Sequence, residues 1–181
     1  MASRWESAYV PELARAFHER YPEVDALTFE LGLLNPIAGI AISSAFSRAL
    51  QPLGIAPSRS HVLMTVFLSP EGCLSQKEIS ERLMVTGGNI SQLVNALHKD
   101  GLIRRTVRRN NRRITDIRLT PAGEAICEQV LHVRGQFVAE AWSVLDDDEK
   151  LVLKGMLERL LKHAETLHPS IPEDDAGEAA S

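Results

Sequence analysis

The stretch RRTVRRNNRRITDIRL, from Arg104 to Leu119, holds seven arginines in sixteen residues of a chain whose formal net charge is -4. Between Ser75 and Thr120, ten Lys and Arg stand against four acids. That segment carries a net +6, which leaves -10 for the remainder of the chain. One internal segment is therefore built to meet an anion, and the rest is not. A solvated arginine-rich surface is the plain alternative, but an acidic protein gains little solubility from a concentrated cationic hairpin. Fork-shaped guanidinium groups match phosphate oxygens, so double-stranded DNA is the expected partner.

The other reactive side chains point to less chemistry. Cys73 and Cys127 are too few for a disulfide framework, and nothing in their surroundings implies export. The six histidines (His18, His61, His98, His132, His163 and His168) have no metal-ligand spacing with cysteines or clustered carboxylates, so no metal or other cofactor is expected. Ser43, Ser44 and Ser47 lie in an apolar segment without a histidine at useful spacing. No phosphate loop, paired-carboxylate site or nucleophile-base arrangement occurs, and an enzyme is not expected.

The elements that must position the arginines can be read from periodicity and capping. SQKE, Ser75 to Glu78, is a capping box that opens a short helix with Ile79 and Leu83 inward. After VTGG, the residues Ile90, Leu93, Val94 and Leu97 fall at helical spacing, and Gly101 supplies a stop. That stripe leaves Gly88, Asn89, Ser91, Gln92 and Asn95 on or near the free face, as short donors and acceptors suited to base edges and phosphates. Two strands, Ile103–Arg109 and Ile114–Leu119, flank a turn at Asn110-Asn111. The order helix, turn, helix, basic hairpin is a winged helix-turn-helix with a two-stranded wing. The tip arginines Arg108, Arg109, Arg112 and Arg113 have the right shape for a minor groove, and the stem arginines for phosphates.

Around this lobe the chain is helical. A short helix over residues 7–20 presents Val10, Leu13, Ala14 and Phe17, and a long apolar helix runs from Asp25 to about Leu53, bent near Pro36. Pro57 opens a helix with Val62, Leu63, Val66 and Phe67 inward. Thr120-Pro121 starts another, with Ile126, Val130, Val133, Phe137 and Ala141 buried. Asp146 and Glu149 form a second capping box before a last helix whose inward stripe is Leu153, Leu157, Leu160, Leu161 and Ala164. The uncharged run Leu31–Ser47 spans seventeen residues, short of the roughly 20 a membrane span requires, and reads as a buried helix rather than an anchor. MASRWESAYV lacks the apolar core of a signal peptide, so the cytosol is the expected compartment.

The segments LSQKEISERLMVTGGNISQLVNALHKDGLIRR and RRNNRRITDIRLTPAG resemble the MarR family of bacterial transcriptional regulators over roughly residues 27–166. The hairpin followed by Leu119–Gly123 is the most specific part. The resemblance implies an obligate homodimer on a near-palindromic operator, most often as a repressor. It also implies release by a small aromatic or acyl ligand, such as an aromatic acid or its thioester. The fold expected is mainly α, a winged helix-turn-helix flanked by N- and C-terminal dimerisation helices. The segments are an N-terminal extension (1–24), a dimerisation helix (25–56), the DNA-binding lobe (57–120), C-terminal dimerisation helices (121–167) and a disordered acidic tail (168–181).

Candidate DNA contacts are then Ser75, Gln76, Thr86, Gly88, Asn89, Ser91, Gln92, Asn95, Arg108, Arg109, Arg112 and Arg113. By motif position Arg113 matches the arginine that enters the minor groove, and Asn111 replaces the aspartate that commonly steadies the wing arginines. Gln92 stands where the family often has arginine, which favours adenine over guanine at that base. Phe46, Arg48, Arg59 and His61 are candidate effector residues. The N-terminal extension resembles the urate-responsive subgroup, but Phe17, His61 and Leu68 replace that subgroup's ligand residues, so urate is not expected. Two competing readings remain: a winged-helix module that docks its basic hairpin on an acidic protein, and a DNA-binding redox switch working through Cys73 or Cys127.

Overall fold

The computed structural model describes residues 9–108 and 111–167, leaving aside the side chains of 111–113. Asn110 of the expected turn, the side chains of Arg109, Arg112 and Arg113, and the expected disorder of the 168–181 tail lie outside the described residues, while the backbone of Asn111 is the first residue of a strand rather than part of a turn. The elements run α1 (Tyr9–Arg20), α2 (Ala26–Leu50), a 3-10 turn (Gln51–Leu53), α3 (Pro57–Phe67), β1 (Cys73–Ser75), α4 (Gln76–Leu83), α5 (Gly87–Lys99), β2 (Ile103–Arg108), β3 (Asn111–Leu119), α6 (Pro121–Ala141) and α7 (Asp147–Ala164). The chain divides after Ala141 into two units, with α7 in the second.

The first unit encloses one core. Leu50 of α2, Val62, Leu63 and Val66 of α3, Ile79 of α4, Ile90, Val94 and Leu97 of α5, Ile117 of β3 and Val130 of α6 are all fully buried. Each such side chain stabilises the fold by roughly 1.5–3 kcal/mol relative to exposure. The i, i+4, i+7 spacing of Ile90, Val94 and Leu97 puts one face of α5 in this core and turns the opposite face outward. Cys127 is also fully buried. It belongs to the inward stripe of α6, with Gly123 and Val130.

The sheet has three antiparallel strands, in the order β1-β3-β2, one more than the two-stranded wing expected. The added strand, Cys73–Ser75, pairs with Asp116–Arg118 and is too short to show an alternating pattern. Pairing of β2 with β3 is regular from Ile103↔Leu119 to Val107↔Thr115, then shifts so that Arg108 lies opposite Asn111. At the foot of the hairpin, Thr120 N donates to Leu102 O (3.0 Å) and Thr120 Oγ1 donates to Gly101 O (2.7 Å). The first turn of α6 is so close that a Cβ at Gly123 would lie 1.9 Å from Leu102 O. Only glycine fits there.

Both long apolar helices depart from their expected burial. In α2, which runs unbroken through Pro36, only Phe46 and Leu50 are buried, while Leu27, Leu31, Leu34, Ile37, Ile40 and Ile42 are exposed. The residues of α2 that face this chain's core lie in its last turns, and α1 covers a strip near its start through Val10, Ala14 and the Phe17–Phe29 stack (3.9 Å). By length and composition, Ala26–Leu53 is also long and apolar enough to cross a membrane. In α7, opened by the expected Asp146/Glu149 capping box, no residue is buried, and Leu157, Leu160 and Leu161 are exposed.

Candidate nucleic-acid interface

Helix α4 begins as the sequence predicts. Ser75 Oγ accepts from Glu78 N (3.2 Å), and Glu78 Oε2 accepts from Ser75 N (2.6 Å). These bonds hold the Glu78 carboxyl below the usual carboxylate range, with Arg108 adding to the effect. The Ser75 hydroxyl is therefore engaged as a helix cap by its acceptor side, which leaves its O–H to donate outward. The turn to α5 passes through Met84 in the left-handed region (φ 53°) and is secured by Ser80 Oγ donating to Val85 O (2.5 Å).

Helix α5 starts at Gly87. Thr86 is its N-cap but makes no side-chain capping bond, and its first turn contains no acid. The amides of that turn and the Thr86 hydroxyl are thus available to an anion, and the helix dipole favours one. The outward face carries Gly88, Gln92, Asn95 and Lys99, all exposed. Asn89 flanks it on one side, and half-buried Ser91 flanks it on the other. Lys99 extends the same face four residues past Asn95, so helical periodicity alone could have identified it.

A groove of about 600 Å³ separates this face from the wing, lined by Gln76, Lys77, Ser91, Asn95, Arg105 and Thr115 among others. Arg105 Nη2 donates to Asn95 Oδ1 and so joins the wing stem to the outward face of α5. Alternation along β2 puts Arg105 on the same side as buried Ile103, the signal by which a stem arginine near α5 could have been singled out. Arg118, a second stem arginine, donates from Nη1 to Glu71 O (3.2 Å).

Arg108, expected at the hairpin tip, is held by two acids. Its Nε donates to Asp116 Oδ1 (2.8 Å), and its Nη2 lies 2.6 Å from the same oxygen and 3.1 Å from Glu78 Oε2. Asp116 and Glu78 hold its guanidinium charged. The side chain turns toward the root of the wing because two acids await it there.

The candidate effector residues do not converge as a set. Phe46 and His61 do meet (ring centroids 6.1 Å apart), and Phe46 also touches Phe137 (5.3 Å). Arg59 instead pairs with Asp100 across a separate cleft lined by Leu53, Ile55, Leu102 and Ile126, and Arg48 is exposed on α2. Their place beside His61 is taken by Arg134. Its guanidinium lies 5.0 Å from the Phe46 ring centroid, and Nη1 donates to His61 Nε2 (3.1 Å). Burial and the neighbouring Arg134 both push the His61 pKa down, keeping the ring neutral. Arg134 lies four residues beyond Val130, which continues the inward stripe of α6.

Neither thiol is poised for redox chemistry. Burial raises the Cys73 pKa and pushes Cys127 up to about 11, and both side chains are enclosed. Low-pKa, exposed thiolates are the reactive ones.

Comparison with known proteins agrees with this arrangement. The model of the MarR family matches residues 53–114. The HTH-type transcriptional regulator PrsX of Escherichia coli is 33% identical over 117 residues, covering 65% of this chain and 70% of that protein. The HTH-type transcriptional repressor MdtR of Bacillus subtilis is 30% identical over 118 residues, covering 65% of this chain and 75% of that protein. Among solved structures, the C80S mutant of MarR from E. coli complexed with operator DNA superposes with a TM-score of 0.68. It is 27% identical, and the match covers 80% of this chain and 97% of that one.

Proposed function

The chain belongs to the MarR family of transcriptional regulators, and from that premise we propose that it binds operator DNA as a homodimer and works as an effector-released repressor in the cytosol. The observation that carries the DNA reading is the outward face of α5: polar, without an acid, ending in Lys99 and bordered by Arg105. Gly88, Gln92 and Asn95 enter the major groove, and the hairpin tip with Arg109, Arg112 and Arg113 follows the adjacent minor groove. An apolar outer face would have favoured a protein partner instead.

The exposed stripes of α2 and α7 support the dimer, because Leu31, Leu34, Ile37, Leu160 and Leu161 would otherwise lie in water. Residues 25–56 and 121–167 are accordingly the dimerisation segments, and α1 extends the first of them. The Phe46–His61–Arg134–Phe137 cluster is the proposed effector site. Arg134 offers a guanidinium to a carboxylate, and the two phenyl rings offer stacking faces to an aromatic acid.

Titration onto the chain's own upstream DNA at rising salt tests the reading. Preferential binding over an unrelated fragment, a steep salt dependence and weakening by Arg113→Ala are expected; equal binding to both fragments overturns it. Benzoate serves as the effector probe, expected to release the DNA from the wild type and not from Arg134→Gln. Sedimentation that finds only monomers at micromolar concentration would remove the dimer.

A further inference from the structure

The root of the wing carries an arrangement that neither the family match nor the reading above employs. Asp116 is the one charged residue among those described that is buried, at 6% exposure. It sits on the central strand β3, opposite Ser75 of β1 on one side and Thr106 of β2 on the other. Arg108, two residues past Thr106, reaches back to it with Nε and Nη2. The same Nη2 bonds Glu78 Oε2, the oxygen that also accepts from the Ser75 amide. An unbroken path of hydrogen bonds therefore runs from the buried carboxylate of β3, through Arg108 at the outer end of β2, to the capping box of α4.

This path lies where the sheet loses support. β1 pairs only with Asp116–Arg118, so beyond Asp116 the wing is two strands alone, which are marginal in water. The β2–β3 register also shifts between Val107 and Arg108. We propose that Arg108 and Asp116 are positioning residues that clamp the wing to the first turn of α4, setting where the hairpin tip lies relative to α5, and that Arg108 makes no phosphate contact. The proposal rests on the DNA-binding reading for its consequence, but the clamp itself exists in the free protein.

The sign of one substitution separates the two roles of Arg108. Asp116→Asn removes a negative charge from a DNA-facing lobe and loosens Arg108. Were Arg108 a phosphate contact, operator affinity would hold or rise. With the clamp, affinity falls by about tenfold, the scale of one lost charge-assisted hydrogen bond. Arg108→Lys keeps the charge but loses the two-nitrogen grip on Asp116, so it falls likewise, whereas a phosphate contact would tolerate lysine.

The experiment measures operator binding, hydroxyl-radical and dimethyl sulfate footprints, and backbone amide exchange for wild type, Asp116→Asn and Arg108→Lys. Thermal melts accompany them, and if Asp116→Asn fails to fold, Arg108→Lys carries the test. Weakened binding by both variants is expected, with minor-groove protection lost and guanine N7 protection under α5 retained. In the free protein, exchange at Thr106, Val107 and Thr115 is expected to accelerate, a result that stands even if the wild type binds no operator. Unchanged exchange at these amides overturns the clamp. So does unaltered or tighter DNA binding by either variant.

Discussion

Gly123→Ala is the substitution whose cost the structure prescribes most directly. The new Cβ would lie 1.9 Å from Leu102 O and 2.9 Å from Leu102 C, both backbone atoms that cannot rotate away. Carbon–oxygen contacts close at roughly 3.3 Å, so the first turn of α6 and the start of β2 must separate by on the order of 1 Å. Overpacking of that kind costs roughly 1–3 kcal/mol. The separation also strains the bonds from Thr120 N to Leu102 O and from Thr120 Oγ1 to Gly101 O, each contributing about 1 kcal/mol. The total is about 3–5 kcal/mol, a large part of the roughly 5–15 kcal/mol by which such a domain is stable. Urea unfolding at fixed protomer concentration, followed by far-UV circular dichroism, reads this directly. Ala122→Gly, one residue away and exposed, is the control and should cost no more than about 1 kcal/mol. A Gly123→Ala midpoint within the range of that control would refute the argument that the glycine is required by close approach.

Three further outcomes follow from named geometry. Met84→Gly should raise stability by about 1 kcal/mol, since Met84 is 84% exposed and held at φ 53°, where a side chain is disfavoured; an unchanged urea midpoint would contradict this. His61 has a pKa below its ordinary 6.5, so the unfolded chain binds its proton first, and stability should fall as pH drops below 6.5 toward the folded value. His61→Gln should remove that part of the pH dependence in melts between pH 7 and 5. Cys73 and Cys127 should resist a thiol reagent in the native protein and react fully only in denaturant. Peroxide should leave operator binding intact, and loss of binding that a double Cys→Ser variant prevents would restore the redox reading.

What the sequence determined by itself was everything settled within a turn or two of chain. The capping boxes at Ser75/Glu78 and Asp146/Glu149 are contained in four residues each, and both form. The spacing of Ile90, Val94 and Leu97 dictates which face of α5 is hidden and hence which faces out, whatever packs against it. The concentration of arginine between Arg104 and Arg118 marks the wing for the same reason: charge is counted along the chain. Tertiary structure decided where long side chains end. Arg108 turns to Asp116 and Glu78, and Arg59 to Asp100, because a partner 30 or 41 residues distant lies within reach. Arg134 joins Phe46 and His61 across 73 residues of sequence. β1 exists only because β3 offers it a partner strand, and α2 and α7 are left uncovered because burial depends on which surfaces meet. Local periodicity specifies that a face is apolar, but only the assembled chain specifies what covers it.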